Sequence, residues 1–162
     1  MPGRTAQRVD SVNIAELAEE IEAAWRDAQA PASSNIARRT YDDEGVAAYF
    51  TGRSWRGHTA KQLRRLSFAP GILTHDAFAY FLAAYMKADV EQPEVADTIV
   101  ESLLYALDPG AHGDNIDRAG AIFGLLNDCQ RRVVTEYVSY INGREAGLYD
   151  DECRRILPLL AG

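Results

Sequence analysis

The stretch from His75 to Ala88 is apolar on nearly every side of a helix, and it constrains the fold more than any other feature of the chain. Thr74 stands where a helix N-cap is expected, because a threonine oxygen can accept a hydrogen bond from the first turn. A helix that is apolar all round must be covered by neighbouring elements, whereas a surface helix keeps one polar face. We therefore expect a buried central helix over residues 75–88.

Apolar residues at helical spacing predict further helices before and after this stretch. The longer ones run from about Val12 to Ala28, from Pro93 to the Asp108-Pro109-Gly110 turn, and up to a stop at Asn142-Gly143. A last helix covers about 150–157 and ends near Pro158. No alternating pattern long enough for a β-strand occurs. The sequence predicts an all-α fold, an irregular orthogonal bundle of six or seven short helices around the central one.

Three pairs of residues predict where helices begin. Each pair has a polar cap followed three residues later by Glu or Gln, the spacing of a capping box. The pairs are Asn13 with Glu16, Thr59 with Gln62, and Asn127 with Gln130.

Size and composition favour one domain in the cytoplasm. A chain of 162 residues that is 47% hydrophobic can form a single core, so we expect one helical domain over residues 1–162, with 1–10 as an arm whose order the sequence leaves open. No stretch approaches the roughly 20 apolar residues of a membrane span, and the N-terminus has no apolar signal core. Cys129 and Cys153 are not spaced like metal ligands, which favours ordinary thiols.

Charge is unevenly distributed along the chain. The net charge is −7, but residues 67–130 hold 2 basic and 10 acidic side chains, while 53–65 hold five basic ones and no acid. An acidic chain is not typical of a general nucleic-acid binder, and it suits attraction to a basic protein. The basic run 53–65, which includes Trp55, is interpreted as pairing with the acidic middle of the same molecule or as a solvated face, in preference to contacting phosphate.

One run of residues resembles a known pattern. Residues 72–85 read Ile-Leu-Thr-His-Asp-Ala-Phe-Ala-Tyr-Phe-Leu-Ala-Ala-Tyr, and upstream lie Asp42-Asp43-Glu44 and Gly52-Arg53-Ser54-Trp55. These stretches resemble a bacterial family of uncharacterised helical proteins, a domain of unknown function with the pattern L-T-P-x-A-F-x-Y-Y-L-P-A-Y, over about residues 10–107. The resemblance implies an α-helical bacterial protein and transfers no activity.

Two departures from that pattern stand out. His75 and Ala83 replace prolines, and without a mid-helix proline the central helix should be straighter, because the ring clash and the missing N–H are gone.

Five acids between residues 89 and 101 have no Lys or Arg among them, and three of them fall on one face of the predicted 93–107 helix. Like charges three or four residues apart cost a helix roughly 0.2–0.5 kcal/mol per pair, so this ridge either is merely solvated or meets a basic partner. We expect a non-catalytic protein-binding protein, most concretely an immunity or antitoxin-like protein that neutralises a basic toxin. The expected partner-binding residues are Asp89, Glu91, Glu94, Asp97, Glu101 and Tyr105, with Asp114 and Asp117 as neighbours.

Two alternatives stay open. An enzyme could use His75, at the start of the central helix, or the donors His112, Asp114 and Asp117, although their spacing fits no established metal motif. A homo-oligomer could place the basic run of one copy on the acidic ridge of the next. We expect no metal and no cofactor, and the sequence does not indicate the oligomeric state.

Overall fold

The computed structural model describes residues 14–38, 45–111 and 115–161. Over these residues the chain is all-helical, which confirms the predicted fold class. The helices are α1 (residues 14–24), α2 (Val46–Phe50), α3 (Ala60–Arg65), α4 (His75–Glu91), α5 (Pro93–Ala96), α6 (Ile99–Leu107), α7 (Asn115–Leu125), α8 (Asp128–Arg144) and α9 (Asp150–Ala161), with a 3-10 turn at Ala69–Gly71.

The predicted central helix is confirmed as α4. The side chain of Thr74 accepts a hydrogen bond from the backbone N–H of Ala77, and every residue from Ala77 to Met86 is buried. Helices α3, α5, α6 and α7 pack against it, so no side of α4 is left to solvent along this stretch. The helix continues three residues beyond the predicted end, to Glu91.

Two of the predicted capping boxes are present. The Thr59 side chain accepts from the backbone of Gln62 while the Gln62 side chain accepts from that of Thr59, and Asn127 and Gln130 make the same reciprocal pair. Each box satisfies N–H groups that the first helical turn leaves without partners. The third, at Asn13, lies outside the described residues, as do Asp42-Asp43-Glu44.

The predicted helix from Pro93 to Leu107 is two helices, and this is a correction. Pro93 begins α5 as expected, but the chain turns at Asp97 (φ 47°, ψ −97°) and Thr98 (φ −74°, ψ −4°) before α6 begins. These angles are those of a type II′ turn, whose first central residue has positive φ. Glu94, Asp97 and Glu101 therefore do not share one helical face, and the repulsion argued from helical spacing does not apply.

The predicted stop at Asn142-Gly143 is also wrong. Helix α8 runs to Arg144 and ends in a Schellman motif, in which the N–H of Gly147 bonds to the carbonyl of Asn142 (3.1 Å) and that of Ala146 to the carbonyl of Gly143 (3.2 Å). The left-handed residue that this motif needs is Ala146, with φ 52°.

The last helix does not end near Pro158. Pro158 lies inside α9, which continues to Ala161. Leu160, two residues after the proline, is buried in the core. Burial of this side chain offsets part of the hydrogen-bond loss that an internal proline causes.

The described chain has nine α-helices where six or seven were expected, partly because one predicted helix is split. Forty-two apolar side chains form one continuous core cluster that reaches from Leu17 to Leu160. Among the described residues no helix is long and apolar enough to cross a membrane.

Candidate partner-binding surface

Asp89, the first residue of the predicted acidic ridge, is fully buried and cannot contact a partner. Its carboxylate accepts hydrogen bonds from the Tyr137 hydroxyl (2.7 Å) and from Nη2 of Arg144 (3.1 Å). Burial raises the pKa of Asp89 above its ordinary value, although the charge of Arg144 and both hydrogen bonds act in the opposite direction. The assignment of Asp89 to a binding surface is therefore corrected: it joins α4 to α8.

Glu91 is compensated inside the molecule. Lys87, one turn earlier on α4, lies 3.2 Å from the Glu91 carboxylate and 3.4 Å from that of Glu22 on α1. Arg56 completes the network through Glu22 at 3.0 Å and stacks over the Trp55 ring. Glu91 is thus the end of an ion-pair chain that links α4, α1 and the loop before α3, and not an isolated negative charge.

Asp97 is paired with the basic run. Its carboxylate lies 3.0 Å from Nη2 of Arg64 on α3, and about half of each side chain is exposed. The basic run thus pairs in part with the acidic middle of the same molecule, as one interpretation of the sequence expected. This pairing within one chain weakens the homo-oligomer alternative, which needs these charges for contacts between copies.

Glu94 and Glu101 keep their negative charge on the surface. Both are exposed, and within the described part of the chain neither has a lysine or arginine partner. Glu101 accepts a hydrogen bond from the Tyr149 hydroxyl at 3.3 Å. One turn after Glu101, Tyr105 is 52% exposed, as a partner-binding residue has to be.

A turn that the sequence analysis did not single out completes this surface. Tyr149 follows the end of α8, and its neighbour Leu148 is 71% exposed. Burial, together with Glu101, Glu145 and Glu152, raises the pKa of Tyr149 to about 12. Glu101 therefore contacts the Tyr149 hydroxyl directly, and Glu145 and Glu152 act on it through their charge. We call Glu101, Tyr105, Leu148 and Tyr149 the α6 acidic surface, together with the exposed Glu94 of α5, which the short turn at Asp97 and Thr98 connects to α6.

The structure does not join the remaining predicted residues to this surface. Asp114 lies outside the described residues. Asp117 is exposed on α7, and no hydrogen bond or ion pair described in the structure links it to α6. We therefore leave Asp117 out of the α6 acidic surface.

The histidines offer no assembled metal or catalytic site among the described residues. His58 is held at both ring nitrogens, by the Tyr49 hydroxyl (2.7 Å) and the Ser54 carbonyl (2.7 Å). The carbonyl can only accept, so Nε2 carries the proton and Nδ1 accepts from Tyr49. No cluster of three or more His, Cys, Asp or Glu side chains in the described ranges is placed to hold a metal. His112 is not described.

The sequence did not indicate that Glu20 on α1 and Glu136 on α8 form a pair of carboxyl groups. A hydrogen bond shared with Glu20, then burial and the charge of Glu20, raise the pKa of Glu136 to about 7. The two residues border a surface groove of about 440 Å³ together with Glu16 and Tyr140. Glu16, Glu19 and Glu20 signal an acidic face of α1 in the sequence, but only the fold brings Glu136 to it.

Comparison with protein-family models, with curated proteins and with solved structures gave no match for this chain. The resemblance of residues 72–85 to a bacterial helical family therefore stays a prediction. What the chain does has to be argued from its own surface.

Proposed function

We propose that this chain is a non-catalytic protein that binds a basic protein partner through the α6 acidic surface. In its most concrete form, it is an immunity or antitoxin-like protein that neutralises a basic toxin in the bacterial cytoplasm. The surface is narrower than the ridge expected from the sequence. It omits Asp89, Glu91 and Asp97, whose charges are satisfied within the molecule, and adds Leu148 and Tyr149.

One observation carries this proposal: the exposed ring of Tyr105 lies one helical turn from a carboxylate that no cation of the described chain neutralises. The hydrogen-bond partner of Glu101 is a tyrosine hydroxyl, which leaves its negative charge in place. Tyrosine is enriched among the residues that contribute most to protein interfaces, because it buries a large ring at little entropic cost. Tyr105 would be the anchor and Glu101 the charge that attracts the partner.

The acidic residues and the exposed Tyr105 would contribute to different steps of binding. Charges around an interface mainly accelerate encounter and select the partner, whereas a buried aromatic anchor slows dissociation. A neutraliser of a toxic enzyme needs both fast capture and slow release. An acidic rim with exposed Tyr105 and Leu148 can supply them.

Differential capture from native cells tests the proposal. The baits are the wild-type chain, the double variant Glu94→Lys/Glu101→Lys, and a matched control, Glu19→Lys/Asp27→Lys. The control makes the same change of net charge at two exposed acids outside the proposed surface, on α1 and in the turn after it. We expect one basic protein to be recovered with the wild type and the control, in a salt-sensitive way, and lost with the double variant.

Two outcomes contradict the proposal. Equal capture by the double variant and the wild type would remove the α6 acidic surface as the docking site. If the captured protein does not arrest growth when it is expressed alone, and co-expression of this chain changes nothing, the immunity-like role is wrong even though binding stands.

A further inference from the structure

His58 holds the connection between α2 and α3 in place. Residues 51–59 form this connection, which we call the 51–59 loop. The hydroxyl of Tyr49, near the end of α2, donates to Nδ1 of His58, and Nε2 of His58 donates to the carbonyl of Ser54, both at 2.7 Å. One imidazole therefore connects the end of the loop both to α2 and to the middle of the loop itself.

The ring of His58 lies among aromatic rings and next to a cation. Its centre is 5.5 Å from that of Tyr49 and 6.0 Å from that of Phe50, both on α2, and 6.1 Å from that of Phe81 on α4. Arg53, in the loop, packs its guanidinium carbon 4.5 Å from the centre of the Tyr49 ring. A positive charge on His58 would therefore arise in a partly buried place that already holds a guanidinium.

The other ionisable groups around His58 are balanced or neutral. His58 borders a surface cleft of about 420 Å³ together with two acidic and two basic side chains, which are ion-paired with one another: Glu22 of α1, Arg56 of the loop, and Lys87 and Glu91 of α4. Burial is the main cause that raises the pKa of Tyr49 and of Tyr85, the tyrosine of α4 that packs on Phe50, so both hydroxyls stay protonated.

Protonation of His58 removes the acceptor that Tyr49 uses. The incoming proton binds to Nδ1, because Nε2 already carries one. Tyr49 can then keep the contact only by turning its own proton away and accepting from an imidazolium beside Arg53. Burial is the largest cause and lowers the pKa of His58; the bond to the Ser54 carbonyl raises it, and the charge of Arg53 lowers it again. The closed loop thus favours the neutral imidazole.

We propose that His58 is a pH-sensitive switch for the 51–59 loop: protonation of Nδ1 breaks the bond from Tyr49 and releases the loop from α2. The released segment carries Trp55, which is 2% exposed in the closed loop, and Arg56, which pairs with Glu22 of α1. Release would therefore expose an aromatic ring and a cation together. This inference does not rest on the proposed protein-binding function, which uses the α6 acidic surface.

The sign of the effect follows from proton linkage. In the open loop the imidazole has its ordinary pKa of 6.5, so the open loop binds the proton more tightly than the closed one. The closed loop keeps its full stability above pH 6.5 and loses stability as pH falls through the lowered pKa of His58. The opening equilibrium should rise about tenfold for each pH unit by which that pKa lies below the ordinary value.

NMR of the full chain measures both sides of this relation. The histidine-ring signals give the pKa of His58, and hydrogen exchange gives the protection factor of the Trp55 backbone N–H, which lies 3.3 Å from the Tyr80 hydroxyl. We expect a pKa below 6.5 and, from about pH 8 to about pH 5, a loss of Trp55 protection of the size that this pKa dictates. The N–H of Leu82 in α4 should be better protected than that of Trp55 at every pH, because the loop opens while the helix stays formed.

Three variants separate this switch from other titrations. His58→Gln removes the titrating ring, assigns its NMR signal and should abolish the pH-dependent loss of Trp55 protection. Tyr49→Phe removes the donor that favours the neutral imidazole, so it should raise the pKa of His58 and reduce the loss. His75→Gln, at an exposed histidine, should leave the loss unchanged.

Either of two results would overturn the switch. The first is the same pH dependence of Trp55 protection in the wild type and in His58→Gln. The second is a His58 pKa that is at or above 6.5, or that does not change in Tyr49→Phe. The second result needs only the wild type and Tyr49→Phe, so the proposal stays falsifiable even if His58→Gln does not fold.

Discussion

The carboxylate of Asp89 lies 2.7 Å from the hydroxyl of Tyr137, and this contact is the point at which the central helix α4 is fixed to α8. Arg144 reaches the same residue twice, through the carboxylate (3.1 Å) and through the backbone carbonyl (3.3 Å). A buried carboxylate with a neutral donor and a cationic donor is satisfied, so it can be tolerated in an apolar core.

Removing this carboxylate should destabilise the fold strongly. Asp89→Ala would leave Arg144 and Tyr137 without their shared acceptor, and breaking a buried pair by deleting one partner typically costs about 3–5 kcal/mol. We expect the upper part of this range not to be reached, because the Arg144 side chain is 18% exposed and can recover some hydration. Urea unfolding followed by circular dichroism measures the loss.

The matched control for Asp89→Ala is a substitution in the exposed ion pair between Arg64 and Asp97. Arg64→Gln removes the ion pair with Asp97, and exposed pairs of this kind contribute only about 0–1 kcal/mol. A free energy of unfolding that falls equally in Asp89→Ala and Arg64→Gln would show that burial does not distinguish the two acids.

The features that the sequence predicted correctly are local in the chain. Thr74, Thr59 and Asn127 mark helix starts because their partners lie three residues away, and the all-round apolar pattern of 75–88 is itself a property of consecutive residues. Such features follow from capping chemistry and helical periodicity without knowledge of the tertiary fold.

The errors about charge concern Asp89 and Asp97, whose partners are distant in the chain, and Glu91, whose partner Lys87 lies just before the counted segment. Arg64 and Asp97 are 33 residues apart and Asp89 and Arg144 are 55 apart, so a count of charges within 89–101 could not reveal that these acids are paired. One local signal was present for Asp89. It follows the buried Tyr85 and Met86 by one helical turn, and extending the predicted helix by three residues would have placed it on a buried face.

A pH dependence of stability should arise from Glu136. Its pKa in the folded chain is about 7, against an ordinary value of 4.5, so the folded state holds a proton that the unfolded state has already lost. The pair with Glu20 therefore contributes stability that is fully present below about pH 4.5 and is lost as pH rises towards and through 7.

The variant Glu136→Gln tests this contribution. An amide cannot ionise, so the difference in melting temperature between wild type and Glu136→Gln should grow in favour of the variant from pH 5 to pH 8. Asp128→Asn, an acid on the same helix but outside this pair, should show no such trend. Parallel melting curves for wild type and Glu136→Gln across this range would mean that the two carboxyl groups do not interact.

The Schellman motif at the end of α8 should be improved by glycine. Ala146 has φ 52°, a left-handed conformation that costs an L-residue with a Cβ roughly 1–2 kcal/mol. Glycine removes that cost but gains freedom in the unfolded chain, worth roughly 0.5–1 kcal/mol. Ala146→Gly should thus stabilise the fold by about 0.5–1 kcal/mol. Gly147→Ala, at φ 81°, should destabilise it, and chemical denaturation of both variants checks the two signs.

A similar gain is expected at the turn between α5 and α6. Asp97 occupies the position of a type II′ turn where glycine is favoured, with φ 47°. Asp97→Gly should raise the melting temperature, because relief of this strain exceeds the small contribution of the exposed pair with Arg64. Asp97→Ala loses the same ion pair but keeps the strain, so it should not stabilise. A lower melting temperature for Asp97→Gly than for Asp97→Ala would contradict the assignment of strain to this residue.

If Glu101 attracts the partner and Tyr105 anchors it, substitutions at these two residues should change different rate constants. Once the basic partner is isolated, Glu101→Lys should lower the association rate and the salt dependence of that rate, because the charge acts before contact is made. Tyr105→Ala should leave association nearly unchanged and raise the dissociation rate, with a loss of about 2 kcal/mol or more if the ring is a central anchor. Surface plasmon resonance at two ionic strengths separates the two effects. If Tyr105→Ala changes neither rate while Glu101→Lys slows association, the charge attracts the partner but the ring lies outside the interface.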